Sequence, residues 1–171
     1  MSRYDLVVIG GGSAGLVVAG GAAQLGARVA LVEKKALGGD CLYTGCVPSK
    51  TFIRSARFAA DVRRAKDFGF ATTSLEFQDS NFAAITERVA RVIETVGEHD
   101  KAERFEASGV EVIFANPRFF SPYELELTAD DDTRKNITAK RFCICTGSRP
   151  AVPPIEGLKE TGFITNEEVF H

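Results

Sequence analysis

No segment of this 171-residue chain reaches the roughly 20 apolar residues that a membrane-spanning helix needs, so a membrane role is not expected. Charge of one sign is lacking too. A formal net charge of −2 offers no electrostatic attraction for nucleic acid or for an anionic membrane surface. Histidine is scarce: His99 and His171 are the only two, neither stands in a constellation, and both read as surface residues. Met1-Ser2-Arg3 leaves no room for a secretory leader before the first apolar run, so the expected location is cytoplasmic. Four cysteines in a chain of this size do not make the disulfide framework of a small secreted protein. What is there, 44% hydrophobic and 26% charged, is the composition of one globular domain with a single core.

The chain opens with an apolar run, Tyr4-Asp5-Leu6-Val7-Val8-Ile9, that leads directly into GxGxxG at Gly10, Gly12 and Gly15 and then into small residues at helical spacing. That order predicts strand, tight turn, helix. Gly10 permits the turn, Gly12 keeps no side chain between the backbone and a pyrophosphate, and Gly15 lets helix and strand approach closely. The free amides of the helix N-terminus would then face the phosphates. A second apolar run, Arg28-Val29-Ala30-Leu31-Val32, ends at Glu33, about 20 residues past the motif, where a carboxylate can hold both ribose hydroxyls and disfavours a 2′-phosphate. The adenosine half expected here is that of FAD or NAD rather than NADP.

Downstream lies Gly38-Gly39-Asp40-Cys41-Leu42-Tyr43-Thr44-Gly45-Cys46-Val47-Pro48-Ser49-Lys50. Five positions along a straight helix separate two residues by roughly 7.5 Å and about 140° of rotation, so the segment holding Cys41 and Cys46 cannot be regular helix if the two sulfurs are to meet. Gly45 supplies a distorted turn, and Pro48 fits the first turn of a helix running on to Arg64. Both sulfurs would lie near a helix N-terminus, with Lys50 adding positive charge, and such a position favours a reactive thiolate. Asp40 opposes this as a neighbouring anion while serving as an N-cap. A competing reading keeps the dinucleotide cradle and treats the two cysteines as incidental core residues.

GGxCxxxGCxPSK after GxGxxG, with Thr146-Gly147-Ser148-Arg149-Pro150 closing a later strand, resembles the FAD-dependent pyridine nucleotide-disulfide oxidoreductases, the group of dihydrolipoamide dehydrogenase, mercuric reductase and glutathione reductase. Ser49 before Lys50 leans towards the first two of these. The resemblance implies a redox-active Cys41–Cys46 disulfide, with Cys41 as the interchange thiol facing substrate, Cys46 against the flavin ring and Lys50 near its redox-active nitrogen. It implies cofactor contacts from Gly10, Gly12, Ser13, Ala14 and Gly15, from Glu33 and Lys34, and from Gly39 and Asp40. Thr146 and Gly147 would touch the cofactor through their backbone, and Ala115 and Pro117 would meet the adenine. Pro117 stands where the family often has alanine and cannot donate a hydrogen bond. The implied reaction moves electrons from NAD(P)H through FAD to the dithiol and on to a disulfide or metal-ion acceptor, in a homodimeric parent.

The fold expected is α/β: a doubly wound, Rossmann-like FAD-binding domain over 1–150 with an antiparallel β-meander insertion, then the start of a linker over 151–171. Phe82, Ile85, Val89, Val92 and Val96 predict one long amphipathic helix over 80–107 that covers the sheet. Strands are expected over 109–115, 119–128 and 136–140, with Asp130-Asp131-Asp132 as a solvated turn lacking the ligand spacing of a calcium loop. Cys143 and Cys145 share one strand face and read as buried small residues, and a zinc site joining all four cysteines has the wrong ligand spacing. Family members continue past a segment like Asn166-Glu167-Glu168-Val169-Phe170 into a nicotinamide-binding domain. No second GxGxxG precedes His171, so the chain is expected to be the N-terminal part of a longer parent and inactive alone.

Overall fold

The computed structural model describes residues 4–71 and 81–170. Ser80, where the amphipathic pattern begins, the three residues before Tyr4 and the terminal His171 lie outside the described residues. The chain divides into two compact units, Met1–Cys41 with Gly97–Ala151, and Leu42–Val96 with Val152–His171.

The first unit is a six-stranded sheet. Its strands are β1 (Tyr4–Ile9), β2 (Val29–Glu33), β3 (Val110–Phe114), β4 (Asn116–Ser121), β5 (Glu124–Thr128) and β6 (Arg134–Ile144), in the order β3-β2-β1-β6-β5-β4. β3, β2, β1 and the second half of β6 are parallel, with Val8 opposite both Leu31 and Cys143. The first half of β6 pairs antiparallel with β5, and β5 with β4. Expectation and structure agree on the α/β class, the parallel half and the meander. One correction is needed: the segment expected as a single strand over 119–128 is two, because Pro122 lacks the amide a ladder needs and the chain turns there. The Tyr123 amide donates to Ser121 Oγ at 3.2 Å within this turn.

Side-chain alternation gives the sheet two apolar faces. One gathers Val7, Ile9, Ala30 and Val32 with Leu125, Leu127 and Ile137 of the meander. The other gathers Val8, Val29, Leu31 and Val110 under α1 (Ser13–Gln24). The acidic tip closes by an Asx-type bond from the Thr133 amide to Asp131 Oδ1, and Asp132 takes a left-handed φ of 62°. That bond holds the Asp131 carboxyl below its ordinary pKa.

The expected long helix is broken. In its place α4 (Phe82–Gly97) ends in a turn in which the Asp100 amide donates to the Gly97 carbonyl, and α5 (Ala102–Ala107) starts afresh at an extended Lys101. α5 packs its Ala102 and Phe105 against the sheet-face cluster that also holds Leu16 and Ala19 of α1. α4 belongs to the second unit, where it meets α3 (Cys46–Arg63): Phe82 stacks on Phe52 at 6.0 Å, and Arg88 Nη1 donates to the Thr51 carbonyl at 3.3 Å. Phe170 stacks on the same Phe52, so the stretch after residue 151 returns to this unit. No helix of the described residues is long and apolar enough to cross a membrane.

Asp5 ties the strand starts together. Its carboxylate accepts from Lys140 Nζ at 2.6 Å and from the Arg28 amide at 2.9 Å. The lysine bond first, and the amide second, lower its pKa from 3.8 to about 2. A depressed carboxylate pKa stabilises the fold above the unfolded-state value, and that contribution disappears as pH falls through the folded-state value. Asp5→Asn is therefore expected to flatten the acid-unfolding profile between those two values, as followed by circular dichroism, while leaving the profile near neutral pH parallel to that of the parent.

Candidate functional site

The glycine turn between β1 and α1 is tightly constrained. A Cβ on Gly15 would strike the Gly10 carbonyl oxygen, and Gly10 itself has a φ of +105°. Gly12 is the N-cap of α1, its carbonyl accepting from the Leu16 amide at 2.9 Å, and no side chain caps this end. Among the described residues the first-turn amides of Ser13 and Ala14 have no side-chain acceptor, and the helix brings partial positive charge to the same place.

A second glycine pair closes on this turn. The Gly38 amide donates to the Gly11 carbonyl at 2.8 Å, forming a bridge with Gly12, and a Cβ on Gly39 would lie 2.7 Å from Gly12 Cα. Gly39 therefore brings the start of α2 (Gly39–Tyr43), with Asp40 and Cys41, to the mouth of the cradle. Asp40 falls within the first turn of α2 rather than at a capping position, a correction to its expected N-cap role.

Glu33 ends β2 beside the same turn. Its Oε2 accepts from the Gly11 amide at 2.7 Å and its Oε1 from the Lys35 amide at 2.8 Å. The carboxylate is thus fixed in place with further lone pairs on each oxygen, an arrangement the β2 apolar run alone did not disclose. Lys34 is exposed. Ala115 is buried and donates its amide to the Glu33 carbonyl at 2.9 Å, and Pro117 follows in β4, an edge strand that tolerates a missing amide. The Cys145 amide donates to Ile9 at 2.7 Å, which brings Thr146 against Gly10 and leaves Thr146 and Gly147 exposed beyond the sheet. A backbone cradle without side chains, uncapped amides and an oriented carboxylate together fit a dinucleotide.

The dithiol segment breaks between its two cysteines, as the spacing requires. α2 stops at Tyr43, and α3 starts at Cys46 after a Gly45 N-cap with φ −131° and ψ −114°. All four cysteines are thiols. Cys46 is exposed at the positive end of an 18-residue helix, and Cys41 is half-buried. Lys50 is exposed one turn into α3.

Thr44 stands between the two cysteines in the sequence, where it and Tyr43 depart from the residues common in the resembled family. Its hydroxyl is buried with no hydrogen-bond partner among the described residues, although Asn166 Nδ2 reaches the Thr44 carbonyl at 3.5 Å. An unmet buried hydroxyl costs stability, so Thr44→Val is expected to raise unfolding free energy by about 1 kcal/mol, read from the urea midpoint.

Residues 4–170 match the family described as pyridine nucleotide-disulphide oxidoreductase. The chain belongs to that family. It is 37% identical to the dihydrolipoyl dehydrogenase of Acholeplasma laidlawii over 92% of the chain and 45% of that protein. It is 37% identical to the mercuric reductase of Shigella flexneri over 95% of the chain and 29% of that protein. With the glutathione reductase of Yarrowia lipolytica the identity is 33%, over 92% of the chain and 34% of that protein. The chain thus spans less than half the length of these relatives.

Proposed function

We propose that this chain is the FAD-binding, dithiol-bearing part of an NAD(P)H-dependent disulfide oxidoreductase of dihydrolipoamide dehydrogenase or mercuric reductase type. The observation that carries the reading is the closure of Gly39 on Gly12, which joins the phosphate cradle to the segment that begins the cysteine pair. FAD, when bound, supplies the exchange of a hydride equivalent for an electron pair at the dithiol. The chain's own residues then have distinct tasks. The amides of Ser13 and Ala14 hold the pyrophosphate, Glu33 the ribose, and the backbone at Thr146 and Gly147 the end of the cofactor away from the adenine. Lys50 places a cation beside the flavin, Cys46 faces the ring, and Cys41 exchanges with the acceptor. Disulfide reduction adds two electrons and two protons to give the two thiols, which NAD(P)H and one solvent proton supply. The acceptor is a disulfide or a metal ion, and the complete reaction is assigned to the homodimeric, cytoplasmic parent.

The exposure of the two thiols makes the test direct. Iodoacetamide applied to the reduced chain, followed by peptide mass mapping, is expected to label Cys46 faster than Cys41. Saturating FAD is expected to slow Cys46 several-fold and to leave Cys41 little changed. FAD that binds without altering the Cys46 rate would remove that thiol from the cofactor and with it the dithiol reading.

A further inference from the structure

A second pair of sulfurs lies outside the proposed dithiol. Cys143 is the penultimate residue of β6 and Cys145 follows the strand, and their Sγ atoms are 3.6 Å apart. Both side chains are half-buried and pack against the cluster of Val8, Leu16 and Leu31 beneath α1. Their backbone is held in place. Cys143 lies in register with Val8, the Cys145 amide donates to Ile9, and the Cys145 carbonyl is pressed against Gly10.

The separation selects a ligand. A disulfide bond measures about 2.05 Å, so these sulfurs are in contact without being bonded. Two thiolates bound linearly to one atom at about 2.3 Å, the zinc–sulfur length, would lie about 4.6 Å apart, well beyond the observed spacing. At that bond length, sulfurs 3.6 Å apart subtend roughly 100° at the atom between them, a pyramidal or tetrahedral angle. A tetrahedral ion needs further donors, yet among the described residues no group of three His, Cys, Asp or Glu is placed to hold a metal ion. A centre that makes two angular bonds to sulfur and brings its own third substituent meets both conditions.

We propose that Cys143 and Cys145 form a second dithiol site that takes monosubstituted trivalent arsenicals. With phenylarsine oxide, the bond between arsenic and oxygen breaks, two arsenic–sulfur bonds form, and both thiol protons leave with the oxygen as one water. Arsenic stays trivalent. No thiolate has to be stable beforehand, which suits a pair in which burial, then the neighbouring Cys143 sulfur, pushes the Cys145 thiol up from its ordinary pKa.

The test uses the Cys41→Ser/Cys46→Ser chain, reduced, freed of reductant and mixed with one equivalent of phenylarsine oxide under native conditions. Intact-mass spectrometry is expected to find one phenylarsenic group per chain with loss of two hydrogens. Adding Cys143→Ser or Cys145→Ser is expected to abolish the adduct while circular dichroism stays unchanged. As a check independent of substitution in the strand, phenylarsine oxide should protect both Cys143 and Cys145 of the unsubstituted chain from N-ethylmaleimide. No adduct on the Cys41→Ser/Cys46→Ser chain, an adduct that survives Cys145→Ser, or unprotected Cys143 and Cys145 would each overturn the site.

Discussion

Gly15→Ala is expected to cost about 3 kcal/mol of unfolding free energy, the upper end of the usual range for overpacking. The new Cβ would occupy the place of the Gly10 carbonyl oxygen, and what it meets is backbone rather than a side chain that can rotate away. Gly10 has nowhere to go. Its amide is bonded to the Val32 carbonyl at 2.8 Å, and its other side lies against the carbonyl of Cys145. Relief would require β1 and α1 to separate, opening the face where Leu16 and Ala19 pack on Val8 and Leu31. Gly21→Ala in the same helix is the control. A Cβ there meets nothing within 4 Å, so the better helix propensity of alanine should stabilise the chain by up to about 1 kcal/mol. Urea denaturation of both variants checks the pair, and equal shifts of one sign would mean that the close approach at Gly15 does not constrain the turn.

The parts of the fold that were legible in the sequence are those dictated by backbone chemistry. Gly10 and Gly15 announced the turn because a Cβ at either position would run into backbone, and the five-position gap from Cys41 to Cys46 announced the break before α3. Hydrophobic period was a weaker guide, since it reports which face a residue takes and not what covers it. The same apolar spacing runs through α4 and α5, although one packs on α3 and the other on the sheet. Short polar contacts were not legible at all. The two amides that fix Glu33 come from the neighbouring turn and from its own loop, and the approach of the Cys143 and Cys145 sulfurs depends on side-chain rotation that strand alternation does not specify. In the same way, the hydroxyl of Thr44 became notable only once its surroundings were seen to lack a partner.

Glu33→Ala is expected to weaken FAD binding by about 10- to 100-fold, the equivalent of ~1.5–3 kcal/mol for hydrogen bonds to a charged group. The structure explains why the loss should fall on binding: the carboxylate is oriented before a ligand arrives, by Gly11 on one oxygen and Lys35 on the other. Ribose hydroxyls can then donate to its remaining lone pairs with little further ordering. The same geometry makes glutamine a poor substitute. Both oxygens accept from backbone amides, so one face of a glutamine side chain would turn an NH2 group towards an N–H donor, and either flip leaves one amide unmet. Glu33→Gln should therefore bind FAD nearly as weakly as Glu33→Ala, which a role resting on side-chain shape alone would not produce. Flavin fluorescence titration of the three proteins at one ionic strength measures this directly. Full affinity in Glu33→Gln would mean that the amide contacts are dispensable, and full affinity in Glu33→Ala would mean that the ribose is held elsewhere.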